Sequence, residues 1–186
     1  LGHAPFGHAG EKTLAELMQE HGGFEHNAQS LRVVEFLEHP YPTFRGLNML
    51  YEVRESLAKH CTLYDRPGLG SHPLADGTQG PIEGQIANLA DRIAYDCHDL
   101  EDALGAALIE ERDLRQVGLW REAAGPWRKR YPDLAVAALR RPILDSLESL
   151  MMNDVVRESR RRIAAAKVQT LDDVRAARKT LVAFSN

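Results

Sequence analysis

Residues 81–105 read P-IEGQIANLADRIAYDCHDLEDAL-G. Pro81 suits a first helical turn, where its missing N–H costs nothing, and the segment is predicted to form a helix from Pro81 to about Leu104. At 100° per residue, Ile82, Ile86, Leu89, Ile93, Cys97, Leu100 and Leu104 line up as one apolar stripe. The opposite stripe holds Asp91, Tyr95, His98, Asp99 and Asp102. A solvated helix face is usually made of Lys, Glu and Gln. Short carboxylates, an imidazole and a phenol have little reach and specific polar tips. Asp99 and Asp102, three apart, repel one another unless a cation or a hydrogen-bonded ligand offsets their charge. Asp91, Tyr95 and Asp99 recur every fourth residue, so one elongated ligand could touch all three. Spacing alone leaves two readings open, a metal or hydroxylated-ligand site and a plain acidic face.

The same 3.6-residue period dominates the flanking sequence. Leu14, Leu17, Met18 and His21 predict a helix ended by Gly22-Gly23. Asn27 to Glu38 predict a second, burying Leu31, Val34 and Leu37 and closed by Pro40, and a third carries Leu47, Leu50, Val53 and Leu57. Residues 65–81 are so rich in Gly and Pro that they read as a loop, with the composition of a flexible one. Further helices are expected near 106–130 and 142–167, and a last one near 171–181 with Thr170 as its N-cap. Alternating β-branched patterns are missing, so the predicted class is all-α. We divide it into a core part, 1–104, and a helical C-terminal part, 105–186. Trp120 and Trp127, and Met151 and Met152 beside Leu144, Leu147 and Val155, read as core. His60, at a helix end, reads as a partner of the helix dipole.

The 186 residues, 44% hydrophobic and 27% charged, have the balance of a soluble globular chain. No run approaches the roughly 18 apolar residues of a spanning helix. Cys61 and Cys97 are too few for a disulfide framework, and a reducing, cytoplasmic setting is expected. A net charge of −4 argues against a chain built mainly for nucleic acid, and the run Arg157, Arg160, Arg161 and Arg162 reads as a solvated helix face. Both ends read as cut. The chain opens on Leu1 without an initiator Met and closes on the apolar run 181–186.

Four of the eight histidines fall in the first 26 residues. In LGHAPFGHAGE, residues 1–11, His3, His8 and Glu11 occupy a Gly/Pro-shaped turn that leads into a helix. His8 and Glu11, three apart, can face one cavity. A carboxylate beside an imidazole holds one tautomer and raises its basicity. A Glu in a first helical turn is also ordinary, but that does not account for two histidines set between glycines.

Four blocks in order carry a resemblance: LGHAPFGHAGE at 1–11, GGFEHNAQSLR at 22–32, GLNMLYEVRESLAKH at 46–60 and QIANLADRIAYDCHDLEDAL at 85–104. Together they resemble the deoxyguanosine triphosphate triphosphohydrolase-like family of the HD superfamily. Residues 105–186 share with it their helical character and the closing LVAFS run. The resemblance implies an HD-domain-like helical bundle, truncated here at both ends, with a metal held by a distant His, an adjacent His-Asp pair and a later Asp. The pair belongs immediately ahead of Leu1, so of those four ligands this chain carries Asp91.

Residue by residue, the resemblance implies Asp91 as metal ligand and His8 and Glu11 as the acid/base pair near the α-phosphate. His3 and His26 lie near the phosphates, with His26 counted among the catalytic residues, and Arg92 neutralises phosphate charge. Tyr95 packs on the sugar and excludes a 2′-hydroxyl; Asp99 accepts from the 3′-hydroxyl. Asn27 and Gln29 match a block without an assignable role. The implied activity is hydrolysis of deoxynucleoside triphosphates to deoxynucleoside and inorganic triphosphate, with a divalent metal, Mg²⁺ or Mn²⁺ first and other transition metals next. A fragment lacking the other ligands is expected to be inactive alone, and the family implies a homo-oligomer. Three alternatives stay open. One is a non-catalytic dNTP or single-stranded-DNA binder using Arg160–Arg162, Arg175, Arg178 and Lys179. The second is an HD phosphohydrolase for another nucleotide. The third is a zinc site from His3, His8, Glu11 and His26, whose spacing fits zinc patterns poorly.

Overall fold

A computed structural model describes residues 1–61, 72–74 and 76–185. The architecture is all-α, and no strand occurs among the described residues. The elements are α1 (Gly7–Leu17), α2 (His26–Arg32), α3 (Tyr51–Ala58), α4 (Ile82–Gly105), α5 (Glu111–Leu114), α6 (Gly118–Arg130), α7 (Val136–Ala166) and α8 (Leu171–Arg175). No helix among the described residues is long and apolar enough to cross a membrane. The chain forms two compact units, Leu1–Asn88 with Val168–Leu181, and Leu89–Lys167 with Val182–Asn186.

In the first unit, Leu31, Ala58 and Leu74 form a small buried cluster with Leu57 against it. Gly84 of α4 leaves room for Ser56 of α3, so these helices approach closely. Gln85 is buried and both ends of its amide are bonded: Nε2 donates to Gly80 O at 2.8 Å, and Oε1 accepts from Thr180 Oγ1 at 2.7 Å and Leu181 N at 2.8 Å. A second tie is ionic. Glu55, 1% exposed, accepts from Arg175 Nη2 at 2.7 Å and Nε at 3.1 Å and from Lys59 Nζ at 2.7 Å.

The second unit is built on Leu104, Trp120, Ala123, Leu139, Ile143 and Leu147. Trp120 is core, as its spacing predicts, and Trp127 packs on the same cluster with its Nε1 donating to Ser146 Oγ at 2.8 Å. Met151 packs there too, whereas Met152 is 47% exposed. On α7, Arg157, Arg161 and Arg162 of the basic run pair locally: Arg161 and Arg162 both grip Glu158, at 2.7 and 2.8 Å, and Arg157 pairs with Asp154 at 2.8 Å.

Several expectations need correction. The second predicted helix starts at His26, capped by Glu25, and relaxes into a π-helical turn at Val33–Leu37 that leaves Leu37 45% exposed. The third starts at Tyr51; Leu50 and Val53 are exposed, and α3 buries Glu55 and Ala58 instead. The span 106–130 holds two helices, α5 and α6, separated at 115–117, and Ala107, with φ 54, lies ahead of both, between α4 and α5. The helix expected from 142 begins at Val136, with Pro142 inside it. Thr170 caps α8 as predicted, accepting from Asp173 N, but α8 ends at Arg175. On α4, Ile93, Cys97 and Leu104 are buried while Ile86 is 51% exposed. The flexibility expected over 65–81 lies outside the described residues for 65–71 and 75; the rest is non-helical.

Candidate functional site

The opening turn is shaped by glycine. Gly2 has φ +76, and a Cβ there would collide with His26 O and Ser30 Oγ, so the chain start lies directly on α2. Ser30 Oγ donates to Leu1 O at 2.6 Å. Phe6, 92% exposed, precedes α1 in the left-handed region (φ 67), a conformation a bulky residue holds only under constraint. A Cβ on Gly10 would strike Pro5 O, so α1 folds back over the Pro5 turn only with glycine at that place.

This turn delivers His3, His8 and Glu11 to the start of α2, where His26 is 3% exposed. The His3 and His26 rings stack with centroids 4.2 Å apart and planes 15° off parallel. Glu11 Oε1 accepts from His26 N at 2.8 Å and lies 3.0 Å from His26 Nδ1. His8 Nδ1 is 3.6 Å from Glu11 Oε2. Glu25 accepts from Asn27 N and Ala28 N, closing the helix start, and its Oε1 is 3.5 Å from His26 Nδ1. With Nδ1 donating to Glu11, the lone pair of His26 sits on Nε2. Burial alone raises the Glu11 carboxyl, but the His26 hydrogen bonds and the charges of His26 and His3 outweigh it. Glu11 is held below the usual carboxylate range.

His3, Glu11 and His26 each offer a ligand atom, all within 4.8 Å of one another. Two imidazole nitrogens and a carboxylate oxygen are donors that Mn²⁺ and similar divalent ions accept, so this set fits a cation. A pair of stacked imidazoles beside a half-buried carboxylate equally suits phosphate oxygens.

The second unit carries the other named residues on successive turns of α4. Asp91 is half-buried. Arg92 pairs with Asp96 at 3.8 Å and lies over the Phe184 ring at 5.8 Å. Tyr95 is 56% exposed and Asp99 is exposed. The structure therefore brings together His3, His8, Glu11 and His26 within one unit, and it sets Asp91, Arg92, Tyr95 and Asp99 along one helix of the other.

Sequence reasoning left Asn27 without a role and gave Asn88 none. Asn27 is 2% exposed and its Nδ2 donates to His60 O at 3.3 Å. Its place in the block GGFEHNAQSLR was the signal that could have singled it out.

The chain is 44% identical over 188 residues to a deoxyguanosinetriphosphate triphosphohydrolase-like protein of Azoarcus sp.. It is 42% identical to proteins of the same name from Geobacter sulfurreducens and Thiobacillus denitrificans. Each match takes in the whole chain but 48–50% of the relative, so the chain spans about half the length of the curated relatives it matches. No family model matches it.

Proposed function

We propose, from the premise that this chain belongs to the deoxyguanosinetriphosphate triphosphohydrolase-like family, that it carries the acid/base half of a deoxynucleoside triphosphate hydrolase. The observation that supports this most is the Glu11 carboxylate, held ionised between His26 at 3.0 Å and His8 at 3.6 Å in a turn that only glycines allow.

In this reading Glu11 fixes the tautomer of His26 through Nδ1. His8, half-exposed and on the other carboxylate oxygen, exchanges a proton at the reacting centre. Water adds to the α-phosphorus, the bond from that phosphorus to the 5′-oxygen breaks, and the 5′-oxygen takes up a proton, giving deoxynucleoside and inorganic triphosphate. In the same reading His3 and His26 serve the phosphates, and Arg92 neutralises phosphate charge. A divalent cation, Mg²⁺ or Mn²⁺, would be held by Asp91 with ligands from the rest of the protein; when bound it supplies charge neutralisation at phosphate and a lower pKa for water. Tyr95 and Asp99 contact the sugar. Homo-oligomer assembly belongs to the same reading.

The test uses the intact protein with Mn²⁺ and dGTP, comparing wild type with His8→Gln and Glu11→Gln. Loss of turnover by about 10²–10⁴-fold in either variant is expected. Wild-type rates in both variants would remove the acid/base assignment.

A further inference from the structure

Along the sequence, His3, His8, Glu11 and His26 make a poor zinc pattern. In space, three of them meet within the first unit. One ligand atom each of His3, Glu11 and His26 lies within 4.8 Å of the other two, and His26 Nδ1 is 3.0 Å from Glu11 Oε1. Around a tetrahedral cation with bonds of about 2.0–2.2 Å, ligand atoms stand roughly 3.3–3.6 Å apart. The edge between Glu11 and His26 is thus close to coordination distance already. Those two corners are also the fixed ones: His26 is 3% exposed at the start of α2, and Glu11 accepts from its backbone N as well as facing its ring. His3 is exposed in the turn ahead of α1, so it supplies the small closing movement. His8 stands apart from the trio, 3.6 Å from the other Glu11 oxygen.

Two imidazoles and one carboxylate with a fourth position open are a donor set that zinc takes. Zn²⁺ holds nitrogen-rich sites more tightly than Mn²⁺ does. The carboxylate is ready for it, since Glu11 is held below the usual carboxylate range. Occupation has a chemical consequence. A cation on Glu11 and His26 takes the lone pairs through which the carboxylate holds both histidines, and His8 loses its partner for proton exchange. We propose that His3, Glu11 and His26 form a zinc-binding site whose occupation shuts off hydrolysis, a control separate from the Mg²⁺ or Mn²⁺ that Asp91 would hold. The inhibitory half rests on the acid/base reading of Glu11; the binding half does not.

Calorimetric Zn²⁺ titration of the intact Asp91→Asn protein tests the binding half, because the other cation site has then lost a ligand. One tightly held Zn²⁺ per chain is expected. Outer-shell partners are already worth about 10–100-fold in metal affinity, so adding His3→Gln, which removes a direct ligand from an exposed turn, should weaken that binding by about a hundredfold. Adding Glu11→Gln should abolish it. No Zn²⁺ bound by Asp91→Asn, or an affinity indifferent to His3→Gln, would overturn the proposal. The inhibitory half is read on protein with Asp91 intact, turning over dGTP at saturating Mn²⁺. Zn²⁺ should stop triphosphate release, and His3→Gln should raise the half-inhibiting Zn²⁺ concentration by about a hundredfold, each protein measured against its own zinc-free rate. Equal Zn²⁺ sensitivity of the two proteins would put the inhibiting ion at the Asp91 site and overturn the control. A protein that releases no triphosphate with Mn²⁺ defeats the acid/base reading and the control with it, while the calorimetry still decides the site.

Discussion

Replacing Glu55 by Ala should be the most costly single change in the first unit. The carboxylate is 1% exposed and meets a bidentate Arg175 at 2.7 and 3.1 Å and Lys59 at 2.7 Å. Removing one partner of a buried ion pair typically costs about 3–5 kcal/mol, because the charges left behind have lost both water and counter-charge. Here the survivors have second partners. Lys59 keeps Asp76 at 2.9 Å and Arg175 keeps Asp172 at 3.1 Å, so the lower end, about 3 kcal/mol, applies. Against a domain stability of about 5–15 kcal/mol that is a large fraction.

Urea unfolding followed by circular dichroism reads it as a lowered midpoint at unchanged slope. Acid should act in the same direction. Burial raises the Glu55 carboxyl, and the Arg175 and Lys59 bonds and charges more than reverse that, so its folded value lies below the ordinary 4.5. The stability it contributes is therefore fully present above pH 4.5 and is lost as pH falls through the depressed value. Glu55→Gln should lose this acid dependence. A Glu55→Ala protein within about 1 kcal/mol of wild type would refute the reasoning.

Gly10→Ala places a Cβ against Pro5 O and should destabilise by about 1–3 kcal/mol, as overpacking does, and lower turnover by displacing Glu11; thermal unfolding and kcat check it. Trp120→Ala, at 3% exposure in the second unit's core, should cost about 3–5 kcal/mol by urea unfolding. Glu158, gripped first by Arg161 and then by Arg162, has its carboxyl held down at about 2. A carbon-13 titration should show that midpoint, and one at 4 or above would contradict the pairing.

The helical class and the cluster at the chain start were legible because their signals are local. The 3.6-residue period needs no partner, and His3, His8 and Glu11 sit within nine residues of one glycine-shaped turn. Glu55 was not legible. On a helix a lone Glu reads as solvated, and its partner Arg175 lies 120 residues away. Leu50 and Val53 were misread for the complementary reason: their period fits a core stripe, yet α3 begins one residue after Leu50 and turns Glu55 and Ala58 inward. The helix expected near 142–167 starts earlier, at Val136, ahead of Pro142. The structure continues the helix across it, with Ser146 Oγ donating to Pro142 O at 2.9 Å.

The most direct test of the central claim is the product formed from dGTP by the intact protein with Mn²⁺ in ¹⁸O-labelled water, read by phosphorus-31 magnetic resonance. The account predicts inorganic triphosphate with the label on a terminal phosphoryl group and unlabelled deoxyguanosine. Pyrophosphate with dGMP, or label in the 5′-hydroxyl, would contradict it.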